Sequence, residues 1–134
     1  MPALEPHFTY LTAELAAARA APLSAKRALL VALLIDAYVD RMFAASGEDD
    51  LLAFRTRLGG ASDALGLAMA VASRRLELVT KAVEVPLADY PRLSEADFMV
   101  SLYNQHTVPR VLIAQGDARL DVQEVLEAAV AALE

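Results

Sequence analysis

Cysteine and tryptophan are absent from this 134-residue chain, and it has only two histidines and five glycines. Without thiols there is no disulfide, no thiolate nucleophile and no sulfur ligand for a metal. The lack of disulfide chemistry fits a cytoplasmic protein. The few glycines do not form a phosphate cradle, because no Gly-Lys-Ser/Thr follows Gly59, Gly60 or Gly66. No Gly-x-Ser-x-Gly elbow marks a serine nucleophile. The Glu-x-x-His signature of helical di-iron sites is missing too. No cofactor or metal is therefore expected.

Long apolar runs are also lacking. The run over 28–35 meets Asp36 well short of the ~20 residues that a bilayer demands, so no membrane partner is expected. The segment 1–7 has no cation ahead of an apolar stretch, so it does not read as a secretory signal. Positive charge is scarce: 12 Lys and Arg stand against 18 Asp and Glu, a net charge of −6. Such a chain repels phosphate backbones unless a local basic patch overrides the mean field. Its close basic groups, Lys26-Arg27, Arg55-x-Arg57 and Arg74-Arg75, are small and read as solvated helix faces.

What the chain does have is alanine, 28 residues of it, within a hydrophobic share of 57%. Alanine is the strongest helix former because it loses no side-chain entropy on folding. The expectation is one mainly α domain over 1–134, a bundle of five or six helices around a buried central helix at about 24–46, with a small β-hairpin near 108–120. The central position follows from 28–39, which is apolar on every side of a helical wheel except at Asp36. A helix of that kind must be surrounded.

Local signals place the other elements. Phe8, Leu11, Leu15 and Ala18 share a face of a first helix over 7–20, stopped by Pro22. Ser24 caps the second helix and Gly47 closes it. Ser46-x-x-Asp49 reads as the cap of a short third helix carrying Leu51, Phe54 and Leu58 and ended by Gly59-Gly60. Ser62 caps a fourth helix, whose period runs through Leu65, Met69, Leu76 and Val83 to Pro86. Glu77 and Lys81 are spaced as an i,i+4 pair on it, although its β-branched last part, 76–85, leaves a strand open. Ser94 starts a fifth helix with Phe98, Met99, Leu102 and Tyr103 facing inward, and Asp121 caps the last, with Val125 and Leu126 on its stripe. The expected core also includes Leu29, Leu30, Leu33, Leu34 and Tyr38.

Two polar groups are candidate sites. Asp36 and Asp40 lie one helical turn apart, so their carboxylates can share a cation, share a proton or pair with arginines from another helix. Tyr103-Asn104-Gln105-His106 is dense in donors and acceptors and suits a pocket rim, or satisfies a helix C-terminus. The ranking that follows places a non-enzymatic interaction module forming a homodimer first, because the helices present more apolar surface than one copy hides comfortably. Second is a binding protein for a small apolar or amphipathic ligand, rimmed by Asp36, Tyr38, Asp40, Tyr103 and His106. An enzyme ranks below these, since only an acid–base pair such as Asp36 with His106 is on offer. A winged-helix-like nucleic-acid binder, from the helix and hairpin over 94–122, is disfavoured because that helix opens with Glu95 and Asp97.

Overall fold

A computed structural model describes residues 4–85, 87–103 and 105–134 of the chain. Residues 1–3 of the segment 1–7, Pro86 and Asn104, which entered the expectations above, lie outside the described residues. The chain begins with α1 (Glu5–Ala20) and α2 (Ala25–Ser46). The Ser24 side chain accepts from the Arg27 N–H at 3.1 Å and so starts α2. Gly47, at φ 79°, ends it in the left-handed region that glycine enters without steric cost.

The third helix, α3 (Leu51–Ala61), is capped by Asp50, four residues later than the Ser46 that the Ser46-x-x-Asp49 spacing suggested. Asp50 accepts from the Ala53 N–H at 3.0 Å, while Ser46 Oγ takes the Glu48 N–H at 3.1 Å. Gly59 and Gly60 do not end α3; both sit inside it. Gly59 lies against Gly66 of α4 (Asp63–Ala72), where a methyl group on either glycine would sit 3.6 Å from the other's Cα. Their shared lack of a side chain lets two helix backbones approach.

The fourth helix stops at Ala72, far short of residue 83. A left-handed Arg74 (φ 63°) and the Ala70 carbonyl, which accepts from both Arg75 and Leu76 N–H groups, turn the chain out of the helix. Residues Glu77–Glu84 form strand β1, so Glu77 and Lys81 do not face each other across a helical turn. After a 3-10 segment (Leu87–Arg92) come α5 (Glu95–Tyr103), β2 (Thr107–Gln115), β3 (Ala118–Asp121) and α6 (Val122–Ala132). The sheet is antiparallel in the order β1-β2-β3, with Glu77 opposite Ala114, Glu84 opposite Thr107, and Gln115 opposite Ala118. Gly116 (φ 57°) makes the tight β2–β3 turn, and the hairpin lies where the sequence placed it. Asp121 Oδ1 accepts from the N–H groups of Gln123 and Glu124 at 2.8 and 3.2 Å and launches α6.

The described residues are thus mainly helical, with a small three-stranded sheet. None of their helices is long and apolar enough to cross a membrane. The core gathers Leu11 and Leu15 from α1, Val31, Ile35 and Val39 from α2, Leu65 and Met69 from α4, and Leu126 and Val130 from α6. Val111 and Ile113 join it from one face of β2. Helix α2 packs against α1, α3, α4, α6 and β1 but is not enclosed all round. Leu30, Leu33, Ala37 and Arg41 look outward, so Leu30 and Leu33 are not core residues. The uniform greasiness of α2 reflects its many neighbours on one side and an open apolar strip on the other.

Candidate functional site

Helix α5 is built the wrong way round for a surface helix of an isolated chain. Phe98, Met99, Leu102 and Tyr103 are 42%, 48%, 54% and 81% exposed. They lie at steps of one and four residues and therefore share one side of the helix. Against the rest of the protein α5 presents Ser101, which is fully buried, and Asp97. The expectation that Phe98, Met99, Leu102 and Tyr103 point inward is thus reversed, and Phe98 and Leu102 do not belong to the core.

The inward side is fixed by polar chemistry. Arg110 on β2 grips Asp97 with both guanidinium nitrogens, at 2.7 and 3.3 Å, and donates to the Pro109 carbonyl at 2.9 Å. A two-pronged arginine–carboxylate contact sets orientation as well as position. Ser101 Oγ donates to the Phe98 carbonyl at 2.8 Å, which satisfies a hydroxyl with no access to water. With Asp97 tied to β2 through Arg110 and Ser101 buried on the same side, the geometry of the helix turns the apolar residues outward.

The end of α5 is held in an unusual backbone. Gln105 and His106 both take positive φ values, 55° and 65°, and the His106 N–H returns to the Ser101 carbonyl at 2.9 Å. Non-glycine residues in this region carry a steric cost of about 1–2 kcal/mol each. The strain is sustained by Tyr90 in the 3-10 segment. Its hydroxyl meets His106 Nδ1, and its ring stands edge-on to both His106 (5.9 Å) and Phe98 (6.1 Å). His106 is thereby pinned, exposed, beside the apolar face.

A cleft of about 1010 Å³ lies behind α5, between its first turn, the α1–α2 turn, β2 and the start of α6. Ala18, Ala28, Val100, Val111 and Val122 give it apolar walls, and Gln123 lines it as well. The Gln123 Nε2 group is shut off from water without a hydrogen-bond partner among the described residues. A second cleft, of about 650 Å³, runs beside Gly59 and Gly66.

The five residues proposed as a ligand rim are distributed as follows. Asp36 and Asp40 meet one arginine, Arg55 of α3, whose NH2 group binds Asp36 Oδ1 and whose NH1 group binds Asp40 Oδ1 at 2.9 Å. Burial opposes the charge on Arg55, but hydrogen bonding and attraction from Asp36, then Asp40, outweigh it and raise its pKa. Tyr38 is buried and packs against Phe8, with ring centres 5.6 Å apart. Tyr103 and His106 sit at the far end of α5. Neither cleft is lined by any of the five. The structure brings Asp36 and Asp40 together, but not with His106.

Of the alternatives for Asp36 and Asp40 the structure shows the arginine from another helix, Arg55, which the sequence did not single out, and neither Arg110 with Asp97 nor Arg57 with Glu48 at 2.8 Å was foreseen. The Arg57 hydrogen bond and charge hold the Glu48 carboxyl below its ordinary range and raise the arginine in turn. The guanidinium of Arg110 is taken up by Asp97. Among the described residues no group of three or more His, Asp or Glu side chains could hold a metal ion. Comparison with protein-family models, with curated proteins and with solved structures gave no match to this chain.

Proposed function

We propose that this chain is a non-enzymatic interaction module that works as a homodimer, joined through the outer face of α5. The observation behind this reading is the inversion of α5, which turns Asp97 and the buried Ser101 inward and offers Phe98, Met99, Leu102 and Tyr103 to the outside. A contiguous apolar patch held in place by an internal ion pair favours a partner surface over chance exposure. Fully burying one such side chain is worth roughly 1.5–3 kcal/mol. Eight half-exposed side chains from two copies therefore offer a gain comparable with the association cost of about 4–15 kcal/mol. A micromolar dimer needs a surplus of about 8 kcal/mol over that cost, which the upper end of the gain supplies only against the lower end of the cost, so the dimer is weak rather than obligate. In sedimentation velocity at micromolar concentration the protein is expected to run as a dimer, and Leu102→Arg as a folded monomer with an unchanged circular dichroism spectrum. A monomeric wild-type chain under those conditions would sink the reading.

The unpartnered Gln123 amide favours a second reading, a site for a small amphipathic ligand in the cleft behind α5. A buried donor without an acceptor costs about 1–3 kcal/mol. A ligand carrying a carbonyl or carboxylate would remove that cost while its apolar part covers Ala28, Val100 and Val111. The cleft volume is at the upper end of the ~300–1,000 Å³ typical of ligand sites. Titration with sodium decanoate should shift the Gln123 side-chain amide signals in a nitrogen–proton correlation spectrum. Shifts confined to the outer α5 residues, or none at millimolar decanoate, would remove this reading.

A further inference from the structure

We infer that two copies meet with their α5 helices antiparallel about a two-fold axis centred between Val100 and Ser101, so that Glu95 of each faces His106 of the other. This rests on the homodimer reading above and specifies its geometry. The first ground is the position of the patch. Phe98, Met99, Leu102 and Tyr103 are symmetric about the point between residues 100 and 101. A two-fold axis there seats Phe98 beside the second copy's Leu102, and Met99 beside its Tyr103. The apolar patch is then covered by itself without remainder, as an isologous interface requires.

The second ground is charge. Glu95 lies in the middle of the exposed arc of α5, one turn before Phe98 and Met99, and is itself exposed. A parallel pairing sets it against the other copy's Glu95. The antiparallel pairing sets it beyond the other copy's Tyr103, where the chain is folded back by the His106 N–H bond to the Ser101 carbonyl. In the tautomer whose Nδ1 accepts from the Tyr90 hydroxyl, the ring proton of His106 lies on Nε2, where an incoming carboxylate can take it. The left-handed Gln105 and His106 and the Tyr90 clamp thus acquire a purpose: they hold an imidazole beside the apolar patch, level with an incoming acid. Antiparallel alignment also places the positive N-terminal end of each helix dipole beside the negative end of its mate.

The absence of cysteine makes the geometry testable by cross-linking. Chains carrying Phe98→Cys mixed with chains carrying Leu102→Cys are expected to oxidise mainly to the mixed disulfide dimer. Chains carrying Glu95→Cys alone should not link, since a helical rise of about 1.5 Å per residue sets the two copies of position 95 on the order of 16 Å apart along the helix axis. Glu95→Lys should weaken association about tenfold, and adding His106→Glu should restore it. Efficient self-linking of Glu95→Cys, with wild-type protein dimeric by sedimentation, would overturn the antiparallel arrangement and leave the homodimer standing. A dimeric protein in which none of these cysteines links places the interface elsewhere and overturns the α5 face with it. A monomeric wild-type chain overturns both.

Discussion

Arg55 carries more than its own helix. Asp36 and Asp40 lie four residues apart on α2, close enough to repel, and Arg55 of α3 neutralises the pair from the side. Its side chain and that of Asp36 are mostly covered, whereas Asp40 is half exposed. Removing the guanidinium leaves two neighbouring carboxylates, one of them partly desolvated. Removing Asp40 leaves a compact pair. Arg55→Ala is therefore expected to lower stability by about 1–2 kcal/mol, between the values for exposed and buried ion pairs. Asp40→Asn should cost less than about 0.5 kcal/mol. Urea midpoints at constant slope measure both, and equal losses would contradict the assignment of Asp36 as the principal partner. The sequence displayed the two acids but not their counter-ion. Nineteen residues separate Asp36 from Arg55, and only the folding of α3 back onto α2 joins them.

At the scale of elements, local signals were largely legible, the Ser46 cap and the Gly59-Gly60 stop excepted, and what is long-range was not. Ser24, Ser62, Ser94 and Asp121 all accept backbone N–H groups at the helix starts where the sequence put them. A cap is complete within three residues, so its signal is too. Residues 76–85 were ambiguous because Leu76, Val79 and Val83 satisfy helical spacing while Val79, Thr80 and Val83 favour a strand. Pairing decided the matter: β1 gains its hydrogen bonds from β2, whose Val108 to Ala114 lie about thirty residues on. For α5 the stripe itself was read correctly and its direction was not. Direction depends on Arg110 binding Asp97, and no periodicity encodes which side of a helix a distant arginine will hold. The five supposed rim residues failed to converge for a related reason, since α2 and α5 lie on different parts of the fold. Elements also rule between possible interfaces. The other side of β1 pairs with no strand among the described residues, but it displays exposed Glu77, Lys81 and Glu84, charges that discourage strand addition. The α5 face has no such guard across its apolar centre.

For the whole molecule, association and folding should be linked. Two copies each carrying a net charge of −6 repel at long range, so the proposed dimer would have to be held by short-range apolar contact at α5. Salt screens the repulsion within about 10 Å at 0.1 M and leaves apolar burial intact, so dimerisation should hold or tighten as salt is raised. Since only the folded chain presents Asp97 and Ser101 inward and the apolar row outward, the proposed dimer would form from native copies. Each tenfold rise in protein concentration above the dissociation constant then adds about 1.4 kcal/mol per dimer to the stability of the folded state. The thermal midpoint of the wild-type chain is expected to climb steadily with concentration, while that of Leu102→Arg stays flat and meets the wild-type value at high dilution. Scanning calorimetry over a wide concentration range makes the comparison. A midpoint independent of concentration in a chain that nonetheless sediments as a dimer would mean that the contact survives unfolding, which a surface assembled by the Asp97–Arg110 pair cannot do.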